Sequence, residues 1–187
     1  MESSVPLSQD LKPVDRLQQL LPALFNPTPI VGDQFLRLQL TADTTIAIAL
    51  SWVEETLLIS PQSVTPIPNM PAYILGLMSS KGEAFWVINL GQLLELPTVL
   101  ESSQYYEVVV IRALPAESDQ DTTDELFLGL AVPKIRGSIR LSLEDIISPV
   151  NEVDANLHPY LSGQAVAEGQ TVLVLSAEAI ALSQISD

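Results

Sequence analysis

From Phe35 onward the apolar residues switch from a helical period to a period of two, and that alternation decides what this chain can become. Leu36, Leu38 and Leu40 fall on one side of an extended segment, with Arg37 and Gln39 on the other, the pattern of a half-buried strand. Ile46, Ile48 and Leu50 repeat it after the polar turn Thr41-Ala42-Asp43-Thr44. Short apolar segments then recur at 57–59, 73–78, 84–90, 107–111, 126–132, 135–141 and 171–175. Two of them, 107–111 and 126–132, are almost continuously apolar, which predicts strands covered on both faces. Fourteen prolines and eight glycines cut the chain into many short elements, as turns do. From Phe35 onward, helical signals are confined to 91–96, to 143–147 and to a terminal segment that Ser176 would cap, with Glu178 in its first turn. No strand–helix alternation marks a parallel α/β sheet. The pattern predicts an all-β protein with minor helices, built as two small barrels in halves of roughly 35–98 and 105–175.

Hydrophobic residues make up 47% of the 187 residues but aromatics only 5%, so the core must be mainly aliphatic. Eight Lys and Arg against 23 Asp and Glu give a formal net charge of -15. Phosphate neutralisation needs cations, so no nucleic-acid partner is expected, and an anionic membrane surface would repel the chain as well. Without cysteine there is no disulfide, thiol nucleophile or Cys-based metal site. The N-terminal residues lack the basic and apolar regions of a secretory signal, and no apolar run reaches the ~18–20 residues needed to cross a bilayer. A soluble, cytoplasmic protein with no direct membrane insertion is expected. Residues 1–34 read as an extension, with a short helix from Pro13 through Val14, Leu17, Leu20 and Leu21 that Pro22 ends. Residues 183–187 read as a tail.

A search for reactive chemistry is negative. The one histidine, His158, precedes Pro159 in a loop, and there is no Gly-x-Ser-x-Gly elbow to pair with it. The acidic stretch 117–125 places Asp119, Asp121 and Thr123 at alternating positions, but an EF-hand needs Gly sixth and Glu twelfth, where this chain has Asp124 and Leu130. Glu54 and Glu55 are adjacent on a strand and so face opposite ways. The glycines form neither a dinucleotide-binding nor a Walker spacing. No catalytic residue, metal ligand or cofactor is expected. Lys81-Gly82, by contrast, sits between two apolar runs, where a positive-φ hairpin turn would present the lysine to a partner or to water. Gly76 reads either as a contact residue or as a bulge or close backbone approach.

Taken together the segments resemble the CheW-like family. The run from Met70 to Leu90 resembles its Pro-x-aromatic-hydrophobic-x-Gly, turn and Val-Ile-Asp-Leu signature. Val53-Glu54-Glu55 is similar to its Val-x-Glu, 128–132 to its Gly-hydrophobic-Val-Asp strand, 141–149 to its Leu-x-x-x-x-Ile-x-Pro turn, and Tyr160-Leu161-Ser162-Gly163 to its Tyr-hydrophobic-x-Gly. The resemblance covers 35–182. It implies two intertwined SH3-like five-stranded β-barrels sharing an apolar core, and an adaptor that couples a methyl-accepting receptor's cytoplasmic tip to the regulatory domain of a CheA-type histidine kinase. Carried over by motif, Val53 and Glu55 lie on the receptor side, and Gly76, Lys81 and Gly82 at the turn used for partner contact. The chain departs from the pattern at Lys81 (an arginine in the family), at Ser79-Ser80 (Asn-Leu), at Asn89 (Asp) and at Pro133 (an acidic residue). These departures point to a divergent member serving pilus motility or phototaxis. The other implied role is a binding module that competes with a true adaptor and bridges nothing.

Overall fold

A computed structural model describes residues 32–97, 100, 103–113, 126–147 and 153–185. The expected helix near Pro13 and the acidic stretch 117–125 lie outside the described residues. Among these residues there are ten strands, in chain order β1 (Asp33–Gln39), β2 (Thr45–Ala49), β3 (Val53–Ile59), β4 (Ile74–Ser80), β5 (Glu83–Asn89), β6 (Tyr106–Ala113), β7 (Leu126–Val132), β8 (Lys134–Leu141), β9 (Leu161–Ala167) and β10 (Gln170–Leu175). Two α-helices follow β5 and β10, α1 (Leu90–Leu93) and α2 (Ala177–Ile185). The fold is therefore all-β with minor helices, as the alternation requires. α2 runs on through Ile185, so the boundary at 182 falls inside a helix rather than before a tail.

The strands form two five-stranded sheets, ordered β8-β1-β2-β10-β9 and β3-β6-β7-β5-β4. Neither sheet follows the halves 35–98 and 105–175: each takes strands from both. The halves are instead two copies of one unit, a hairpin followed by three strands and a helix, and the hairpins are exchanged. The hairpin β1–β2 of the first unit completes the sheet of β8, β9 and β10, while β6–β7 of the second completes the sheet of β3, β4 and β5. The chain crosses between sheets at the 3-10 turn Leu50–Trp52 and at the single residue Pro133. Each sheet has one parallel pair, β10 with β2 and β5 with β7, where one unit's hairpin meets the other unit's last strand.

Both sheets close on themselves by the same device. Past β3, a 3-10 turn at Pro61–Ser63 leads to Thr65, which exchanges hydrogen bonds with Leu77 of the far edge strand β4 (2.8 and 2.9 Å). Past β8, a 3-10 turn at Leu143–Asp145 leads to Ile147, which does the same with Gln164 of β9 (2.9 and 2.7 Å). A glycine precedes each bridged residue. A Cβ on Gly76 would stand 2.1 Å from the Thr65 carbonyl oxygen, and one on Gly163 would stand 2.6 Å from the Ile147 carbonyl oxygen. Gly76 also has φ +143 and lies at a register shift in the β4–β5 pairing. The first barrel (β8-β1-β2-β10-β9) encloses Phe35, Ala47, Ile139, Leu141, Val172 and Val174. The second (β3-β6-β7-β5-β4) encloses Ile59, Phe85, Val87, Val108 and Val110.

The largest apolar cluster lies inside neither barrel. Leu36, Leu38, Ile46 and Ile48 of the first sheet pack with Val109, Ile111, Leu128, Leu130 and Val132 of the second. Alternate residues of β1, β2, β6 and β7 thus face a barrel interior and the neighbouring barrel, which is why 107–111 and 126–132 read as unbroken apolar runs. α2 joins this cluster through Ile180, and Ser176 caps it by accepting from the Ala179 N–H at 3.1 Å. Asn89, the one fully buried polar residue among those described, caps α1 by accepting from the Gln92 N–H at 3.3 Å, while its Nδ2 has no acceptor.

Three substitutions test this account of stability. Gly76→Ala combines a positive φ with a clash against backbone and is expected to cost at least about 3 kcal/mol in urea unfolding. Gly82→Ala, where a Cβ meets nothing within 4 Å, is expected to cost only about 1–2 kcal/mol from its φ. Leu130→Ala is expected to cost about 2–5 kcal/mol. Backbone resonances from both barrels of that variant should disappear at one common urea midpoint, because the deleted contacts belong to both.

Candidate protein-docking site

Five residues were expected to meet partners, and the structure brings three of them to one corner of the second barrel. Ser80 pairs with Glu83, so Lys81 and Gly82 form a two-residue hairpin loop. Their φ values, 52 and 92, are both positive, as a type I′ turn demands. The lysine therefore occupies a left-handed position in its own right. This turn lies against the opposite edge strand of the same sheet. On β3 the side chains alternate: Glu54, Thr56 and Leu58 are outward and exposed, whereas Glu55, Leu57 and Ile59 point the other way, towards the barrel interior.

Glu55 is only 15% exposed, and its two carboxylate oxygens have separate partners. Oε2 pairs with Lys81 Nζ at 2.8 Å, and Oε1 accepts from the Ser80 hydroxyl at 2.8 Å. The carboxyl is held below the usual glutamate range, first by the hydrogen bond from the Lys81 ammonium and then by that from Ser80. Lys81 is correspondingly raised above its ordinary value, chiefly by Glu55. The Lys81 side chain is 69% exposed, and its ammonium has three donors, so it can meet a further group while its position is fixed from below. Ser80 was not among the expected residues. Its partner lies 25 positions away in the chain, and only the closing of the sheet joins them.

The other two expected residues have different surroundings. Val53 is half-buried at the start of β3 and packs on the cluster between the barrels. A register shift separates it from Glu55. Gly76 is buried beneath Thr65 and Pro66, and offers no surface for contact; it serves the closure of the barrel, which was the second of its two readings. Glu54 faces away from Glu55 and pairs with Arg112 on β6, so the adjacent carboxylates do not converge.

The corner can hold and orient a charged partner group but carries no reactive constellation. His158 Nε2 lies 3.1 Å from the Val153 carbonyl. Among the described residues no three His, Asp or Glu side chains come together as a metal site, and no helix is long and apolar enough to cross a membrane. Away from the corner, an apolar cavity of about 320 Å³ opens at one end of the first barrel between Phe35, Trp52, Leu143 and Ile146.

Two closed five-stranded sheets with exchanged hairpins, joined through a shared aliphatic core, define the class of protein. The model of the CheW-like domain matches residues 34–184, and the chain belongs to that family. Among solved structures it resembles the scaffolding protein TtCheW from Thermoanaerobacter tengcongensis. The TM-score is 0.63 at 18% identity, covering 78% of this chain and 90% of that one. At that identity the likeness is one of fold. No curated protein sequence matches.

The ion pair sets a pH window. Because its pKa is lowered on folding, Glu55 contributes stability that is complete above the ordinary glutamate value and is lost as pH falls through the lowered one. Lys81, raised on folding, contributes below the ordinary lysine value and ceases to as pH rises through the raised one. The stability gap between the wild type and Glu55→Gln should therefore be constant near neutrality and shrink on acidification below the normal carboxylate range. Urea midpoints measured across that range test this.

Proposed function

We propose that this chain is a non-catalytic adaptor of the CheW type, which couples a methyl-accepting receptor's cytoplasmic tip to the regulatory domain of a CheA-type histidine kinase. The observation that carries the reading is the family match over 34–184 on a rigid two-barrel frame, with a charged turn fixed at one barrel's corner. The likeness to a scaffolding protein supports it. On this reading Lys81, with Gly82 shaping its turn, meets the partner directly. Glu55 and Ser80 hold the lysine in place, and Val53 marks the neighbouring receptor side at the junction of the barrels. The protein works in the cytoplasm, recruited to membrane-associated receptor arrays.

The departures at Lys81, Ser79-Ser80, Asn89 and Pro133 favour a pathway of pilus motility or phototaxis over flagellar chemotaxis. Lysine keeps the charge but lacks arginine's planar fork, so the contact it makes is less directional. They also keep a second reading open, a module that binds one partner and competes with a true adaptor.

Pull-down from native lysate separates the readings. An adaptor retrieves receptor and kinase together, and addition of the pure protein increases their association; a competitor retrieves one of them and lowers it. Lys81→Glu is expected to weaken the ternary complex at least tenfold while the far-UV circular dichroism stays unchanged. Wild-type assembly by that variant would remove the turn from the interface. Co-purification with flagellar switch components and no pilus system would count against the pathway.

A further inference from the structure

The exchanged repeat gives each barrel an equivalent hairpin turn, and the two carry opposite charge. Where the second barrel has Lys81-Gly82, the first has Glu168-Gly169, again with two positive φ values, 53 and 78. Lys81 reaches back to a carboxylate; Glu168 reaches back to a guanidinium, pairing with Arg37 Nη1 at 2.7 Å. Beside it a cavity of about 320 Å³ opens at the end of the first barrel, where all five strands supply the rim.

The lining of this mouth is polar and cationic. Arg37 and Arg136 flank it, with Gln39, Thr45 and Gln170 between them. Arg37 Nε is buried with no acceptor. Arg136 donates from both Nε (2.6 Å) and Nη2 to a single neutral amide oxygen, Gln39 Oε1, although its planar fork is built to match the two oxygens of a carboxylate. Of the two guanidiniums, only Arg37 is paired with a carboxylate among the described residues, that of Glu168, which is 70% exposed on a turn. Lys134, on the same strand as Arg136, adds a third cation, paired to Glu107 at 2.6 Å. Four of the chain's eight cations, Arg37, Lys134, Arg136 and Arg140, therefore lie on the strand pair β1–β8, in a molecule of net charge -15.

We propose that this mouth is a second docking site, which takes the carboxylate side chain of an acidic segment in a protein partner. The incoming carboxylate receives the Arg136 fork in place of the Gln39 amide and accepts from the Arg37 Nε–H. A polypeptide source is favoured over a free dianion because the donors are side-chain forks spaced around an open rim. Small free anions are commonly held instead by cradles of converging backbone N–H groups, although an arginine fork also fits phosphate. The site goes beyond the adaptor reading and does not depend on which proteins meet the Lys81 corner.

The test titrates the full-length protein with an acetylated, amidated hexaglutamate peptide, followed by calorimetry and by the arginine Nε–H resonances. Saturable binding is expected, with the Arg37 and Arg136 signals shifted. Arg136→Gln should weaken it at least tenfold. Glu168→Gln should tighten it a few-fold by releasing Arg37. Arg140→Gln, the same charge change on the same strand but outside the cavity, should stay within twofold of wild type. Absence of binding overturns the proposal, as does equal weakening by Arg136→Gln and Arg140→Gln, which would mean diffuse attraction only. Phosphate or citrate binding as tightly with the same dependence on Arg136 overturns the polypeptide source. Lys81→Glu should leave peptide affinity unchanged, so failure here and failure of the adaptor reading are separate results.

Discussion

The aliphatic contact between the two barrels is the interaction on which the rest of the structure depends. Each barrel interior is small, and a five-stranded barrel of this size buries little apolar surface alone. The shared cluster supplies the remainder by using the outer faces of β1, β2, β6 and β7, which in an isolated barrel would meet water. Leu38, Ile46, Ile48 and Leu130 are fully buried there. The result is one cooperative body whose rims can carry charge and whose turns can carry strained residues without threatening the fold.

Much of this was legible in the chain. The period-two alternation located nine of the ten strands, and the unbroken runs at 107–111 and 126–132 announced burial on both faces. The Ser176 cap and the hairpin at Lys81-Gly82 were readable because capping and turn chemistry are local. β9 was not located as a strand: only its motif at 160–163 stood out, since Leu161–Ala167 mixes Gly, Ser, Gln and Ala with few β-formers. The exchange of hairpins was implied only by the family resemblance, as intertwined barrels, and was not legible in the alternation. Both exchanged and unexchanged pairings satisfy the same alternation, so the sequence marks the repeats but not which sheet each hairpin joins. The same limit applied to the site. Lys81 and Glu55 were each picked out, but their ion pair and the part of Ser80 arise only when the edges of the second sheet meet.

The repeat also shows how one architecture is made asymmetric. The equivalent turns keep their backbone conformation and reverse their charge, Lys81 over Glu55 in one barrel and Glu168 over Arg37 in the other. Backbone geometry is dictated by barrel closure, whereas the side chain at a left-handed turn position points to solvent and is free to differ. Asymmetry of that kind gives a pseudo-symmetric body two distinct ends.

The brevity of the two crossings has a mechanical consequence. For β2 to stay with its own unit it would have to lie where β7 does, ending level with Glu107, while β3 begins level with Ile111. Four residues along β6 and two strand spacings across make that gap about 17 Å. The link from Ala49 to Val53 can reach about 14 Å, and that through Pro133 only about 7 Å. Neither hairpin can swing home. The polypeptide is laced so that no single cut or hinge releases a lone barrel, and the two barrels are tied by two short links rather than by one long, flexible joint.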